Sequence, residues 1–131
     1  MSKEDLEKKQ LELQALSSHI KNIQQQIISL EQQHIELNKL EEDLKDIKNF
    51  SNVEMFVNLG SGVFVKGKLE KTNKVLMNVG SNIVISKDIE ASGEIIVKQA
   101  SEIRNVIEEL GKRLKIGIGH FETLQKDLED S

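Results

Sequence analysis

The chain has 131 residues and a net charge of −4, with four Phe and no Trp, Tyr, Cys or Pro. That length bounds it to one domain, although an aromatic content of 3% is thin for a compact enzyme core. The acidic balance argues against nucleic acid, which would call for a basic stripe. The missing cysteines exclude a disulfide framework or a thiolate metal site and fit a reducing compartment. No apolar run is long enough to cross a membrane, and the N-terminus MSKEDLEKKQ lacks the apolar block of a signal peptide. These features predict a soluble, cytoplasmic, extended protein.

Residues 3–48 are polar and free of Gly and Pro, so nothing interrupts a long helix. Ser2, with Asp5 three residues on, supplies a capping arrangement at its start. Leu6, Leu13, Ile20, Ile27 and His34 recur every seven residues. Lys9, Leu16, Ile23, Leu30, Leu37 and Leu44 form the companion set. This is the a/d seam of a coiled coil. His34 sits at an a position among Leu and Ile, where a polar residue sets register. Leu30, His34, Leu37, Leu40, Leu44 and Ile47 are spaced 4, 3, 3, 4, 3, and the two consecutive threes predict a stammer near the end of the helix, re-aiming the seam.

From Val53 to Ser86 the pattern changes to alternation. Val53, Met55, Val57, Leu59, Val63, Val65, Leu69, Val75, Met77, Val79, Ile83 and Ile85 occupy odd positions, the signature of strands with one buried face. Gly60-Ser61-Gly62, the polar run at 70–74 and Gly80-Ser81-Asn82 divide the segment into four strands, read as two hairpins over 53–86. Each strand also carries an apolar residue at an even position: Phe56, Phe64, Leu76 and Val84. These four are either scattered surface residues, which are common, or a subunit interface. The interface reading is favoured because every strand supplies one and an open sheet has edges that need cover.

Ser86 is a candidate N-cap for a second helix over 87–130, with Asp88 and Glu90 in the first turn. From Ile89 the spacing alternates four and three through Gly93, Ile96, Ala100, Ile103, Ile107, Leu110, Leu114, Gly117, Phe121, Leu124 and Leu128. Ile95-Ile96-Val97 alone reads as a strand, but the unbroken heptad frame on either side makes it helix. The two helices, each about 67 Å long at roughly 1.5 Å per residue, are expected to fold back antiparallel. The predicted class is α+β: a long coiled-coil helical hairpin with two β-hairpins at one end.

The stretches Leu59-Gly60-Ser61-Gly62-Val63-Phe64-Val65-Lys66-Gly67-Lys68, Lys74-Val75-Leu76-Met77-Asn78-Val79-Gly80 and Ile83-Val84-Ile85-Ser86-Lys87-Asp88 resemble the α-class subunit of prefoldin, an ATP-independent chaperone. Two hairpins rather than one mark the α class, and the Lys66-Gly67 form is nearer the archaeal members. The resemblance implies a hexamer of two α-class and four β-class subunits, assembled through the hairpins. It further implies that unfolded protein clients are held between coiled-coil tips and passed to a group II chaperonin, without nucleotide or cofactor. On that reading Leu6, Leu11, Leu13, Leu16, Ile118, Phe121, Leu124 and Leu128 are the candidate client-binding residues. Seam packing is the ordinary role of Leu6, Leu13, Leu16, Phe121, Leu124 and Leu128. Gly117 and Gly119 weaken the helix beside them, and Leu11 and Ile118 lie off the seam.

Catalytic chemistry has no foothold. Gly60-Ser61-Gly62 lacks the Gly-Lys-Ser/Thr of a phosphate loop, and His19, His34 and His120 form no i,i+4 ligand pair. No enzyme and no metal site are expected. The rival reading is a structural scaffold, a homo-oligomer or filament built on the same assembly domain without general chaperone activity.

Overall fold

The computed structural model describes residues 2–130. Helix α1 (Lys3–Lys48) is followed by strands β1 (Val53–Gly60), β2 (Val63–Leu69), β3 (Lys74–Asn78) and β4 (Val84–Asp88), and then by helix α2 (Ile89–Glu129). The strands form two separate antiparallel two-stranded sheets, β1–β2 and β3–β4. Two long helices around two hairpins make this an α+β coiled-coil hairpin fold. The chain divides into two compact units, Met1–Ile35 with Ser101–Ser131, and Glu36–Ala100.

In the first unit the helices run antiparallel. Lys9 Nζ lies 3.9 Å from Asp127 Oδ2, and Gly117 faces Ile20. The seam is the line of half-buried and buried residues Leu6, Lys9, Leu13, Leu16, Ile20, Ile23, Ile27 and Leu30 on α1. Ile103, Ile107, Leu110, Leu114, Gly117, Phe121, Leu124 and Leu128 answer on α2. Ser2 starts α1 as the sequence predicts: its Oγ accepts the Asp5 amide at 3.2 Å, and its carbonyl accepts that of Leu6 at 3.1 Å. One of the donors that a helix start leaves orphaned is thereby satisfied by the Ser2 side chain.

The second unit is built on Leu44, Ile89 and Ile96, with Leu37, Ile47 and Val75 packed against them. The stammer predicted at His34, Leu37 and Leu40 is absent there, and the two consecutive threes come later, at Glu41, Leu44 and Ile47. Leu40 stays 42% exposed while Glu41 is half-buried, so the seam keeps its four–three spacing through Leu37, Glu41 and Leu44. Glu41 is tolerated there because its carboxylate turns to Lys45 one turn on, at 3.2 Å.

The entry to α2 also differs from the sequence expectation. Ser86 lies within β4, paired with Leu76, and does not cap the helix. Strand pairing continues to Lys74↔Asp88, and the Ile89 amide then donates to the Asn73 carbonyl at 2.8 Å. The ladder itself therefore satisfies the first amide of α2, and the helix starts at Ile89 rather than Lys87. Residues 95–97 are helical, as the heptad frame requires.

Candidate interaction surfaces

The β1–β2 hairpin is turned by local chemistry. Asn58 Oδ1 accepts the Gly60 amide at 2.8 Å, and Gly60, Ser61 and Gly62 all adopt positive φ, which glycine takes without a Cβ penalty. The β3–β4 hairpin repeats the arrangement. Asn78 Oδ1 accepts the Gly80 amide at 3.0 Å, and Gly80, Ser81 and Asn82 adopt positive φ. The pattern Asn-x-Gly-Ser, at 58–61 and again at 78–81, is an internal repeat that hydropathy alone does not reveal.

Register then decides which side chains share a face. Phe56 pairs with Lys66, Asn58 with Phe64 and Glu54 with Lys68, so both phenyl rings stand on the even face of β1–β2, flanked by opposite charges. Phe56 is 68% exposed and Phe64 is also open. In β3–β4, Leu76 pairs with Ser86 and Asn78 with Val84. Leu76, at 75% exposure, and Val84 therefore share that hairpin's even face. All four sequence-predicted interface residues are exposed, two on each hairpin.

The odd positions behave differently in the two hairpins. In β3–β4 they are half-buried, and Val75 reaches the core of the second unit. In β1–β2 the odd face is open as well: Val53, Met55, Val57 and Val65 are all exposed, paired as Val53↔Leu69, Met55↔Gly67 and Val57↔Val65. Alternation predicts a buried face, yet among the described residues these four side chains keep 38–47% of their surface open, and only Gly67 and Leu69 on that face are half-buried. β1–β2 thus presents two apolar faces, one more than the sequence singles out. The signal lay in apolar residues on both parities of one short hairpin.

The eight predicted client-binding residues divide otherwise. Leu6, Leu13, Leu16, Phe121 and Leu128 are half-buried in the seam and Leu124 is buried, whereas Leu11 and Ile118 are exposed. Ile116 was missed and is 74% exposed. Its position off the four–three frame, beside Gly117, was the available sign.

Electrostatics are modest. Lys48 Nζ and the Glu90 carboxylate form an ion pair in the second unit. The lysine's hydrogen bond, and then its charge, hold the Glu90 carboxyl below the usual glutamate range. No group of three or more His, Cys, Asp or Glu that could hold a metal ion occurs among the described residues. No helix among them is long and apolar enough to cross a membrane.

The prefoldin subunit family model matches residues 16–130. The chain belongs to the prefoldin family. It is 33% identical over 88 residues, 67% of its length, to a prefoldin subunit alpha of Methanobrevibacter smithii, and the match spans 60% of that relative. A structure of filamentous PFD from Methanocaldococcus jannaschii superposes with a TM-score of 0.75 at 23% identity, covering 87% of this chain and 95% of that one. The sequence likeness and the two hairpins place the chain with the archaeal α type of prefoldin subunit. Prefoldin is a non-enzymatic chaperone family whose subunits assemble with one another. Family membership agrees with the expectation that the chain is not an enzyme.

Proposed function

We propose that this prefoldin subunit assembles through its hairpins with β-class partners, as two α with four β. In this reading it captures unfolded polypeptides on the helical pair of the first unit and passes them to a group II chaperonin in a cytoplasmic setting. The observation that carries the assembly half is the exposed apolar surface of both hairpins. Burying Phe56, Phe64, Leu76 and Val84 contributes roughly 6–12 kcal/mol at about 1.5–3 kcal/mol each. Association costs about 4–15 kcal/mol before any surplus appears. Four side chains alone are thus near break-even. A stable complex also needs the odd face of β1–β2, where Val53, Met55, Val57 and Val65 stand open.

The capture half rests on Leu6, Leu11, Leu13, Leu16, Ile118, Phe121, Leu124 and Leu128, with Ile116 added from its exposure. Apolar contacts on an adaptable surface suit a binder of many sequences, and affinity without nucleotide has to be modest for a client to leave. Removal of residues 1–12 and 120–131 is expected to leave assembly intact while suppression of client aggregation, followed by light scattering, falls severalfold. Full suppression by the shortened protein would move the client site elsewhere.

A further inference from the structure

Most of the proposed client residues are seam residues, and in the closed helical pair they are largely covered. Leu13, Leu16, Phe121 and Leu128 are half-buried and Leu124 is buried. A client can engage their full apolar surface only when the two helices part, so the first unit needs a place at which it opens. The glycines of α2 mark that place. Gly111, Gly117 and Gly119 all lie within the helix, and none has the positive φ that would require glycine.

Packing does not require them either. A Cβ built at Gly111 or Gly119 meets nothing within 4 Å, and one at Gly117 meets only Ile20 Cγ1, at an ordinary 3.5 Å. Alanine fits at all three positions. Each glycine weakens the helical state about fivefold relative to alanine, and the three together weaken it about a hundredfold. The surrounding residues add to this. Ile116 and Ile118 are β-branched, and Thr123 Oγ1 donates to the Gly119 carbonyl at 3.0 Å, a back-bond that bends helices. α1 contains no glycine at all.

We infer that residues 111–119 of α2 are a built-in opening segment. α2 loosens there while α1 stays helical, uncovering Leu13, Leu16, Phe121 and Leu124 for a client. This rests on the capture reading above and adds where, and in which helix, the opening starts. Simple fraying from the ends would loosen both helices alike and would make no use of Gly111, which lies well inside α2.

The test compares the wild-type complex with a Gly111→Ala, Gly117→Ala, Gly119→Ala variant. Gly93→Ala serves as the control, because it fills equally open space in the other unit. Amide hydrogen exchange should show residues 112–121 exchanging faster than residues 9–24 in the wild type. The triple variant should slow that exchange by tenfold or more and suppress client aggregation severalfold less well. Gly93→Ala should leave both readouts unchanged. Equal exchange in both helices, no slowing in the triple variant, or slowing with undiminished suppression would each overturn the inference. The shortened protein of the preceding section, run alongside, tests the capture reading separately: its loss of suppression beside an unaffected triple variant would reject the opening segment alone.

Discussion

Glu90 and Lys48 show how a single pair of side chains links the two helices of the second unit. Glu90 is fully exposed, so its ion pair with Lys48 is screened by water and salt and contributes little to stability. The sign of its pH dependence is nevertheless fixed. A carboxyl whose folded pKa is depressed stabilises the fold above its unfolded pKa, and that contribution disappears as pH falls through the folded value. An NMR titration is expected to find Glu90 ionising below the usual glutamate range, with Lys48→Met returning it to that range. Titration of Glu90 at the usual glutamate value in the wild type would show that the pair does not form in solution. At the same scale, Asn58 and Asn78 turn the two hairpins by one device. The sequence reading placed the turns correctly through Gly60 and Gly80, but it did not read the asparagines as their partners. That choice depends on a side-chain hydrogen bond rather than on hydropathy.

At the scale of elements, both helices and all four strands were legible, because periods of 3.5 and of two are strong signals over long stretches. What failed did so for local reasons. Leu40 was read as a seam residue from its type, yet the four–three spacing up to Leu44 puts Glu41 there and leaves Leu40 exposed. A helix keeps its frame when a single long, amphipathic side chain can bury its stem and turn its head to a neighbour such as Lys45. Ser86 was read as a cap from its type as well, but the β3–β4 ladder carries on past it to Asp88, a tertiary preference that outweighs capping propensity. The frame makes a sharp prediction for urea unfolding. Glu41→Leu should stabilise by about 1 kcal/mol through added apolar burial, while Leu40→Gln should stay within about 0.5 kcal/mol of the wild type. A loss of about 2 kcal/mol or more on Leu40→Gln would restore Leu40 to the seam.

For the whole molecule, the surface that matters most was only half visible in the sequence. Phe56, Phe64, Leu76 and Val84 stood out as unexplained apolar residues, and register places them on the even faces of their hairpins. The open odd face of β1–β2 could not be anticipated, because alternation indicates which residues share a face and not whether the same chain covers it. The client residues are likewise legible as a seam, but their burial makes capture depend on opening. The central claim is that both hairpins are covered by other subunits. Its most direct test is the native mass and subunit composition of the complex this chain forms in its own cell extract, beside a Phe64→Asp, Leu76→Asp variant. The account predicts a hetero-oligomer with a second helical-hairpin subunit in excess, and in the variant a dissociated chain with unchanged helical circular dichroism. A large homomer, or an intact complex in the variant, would contradict it.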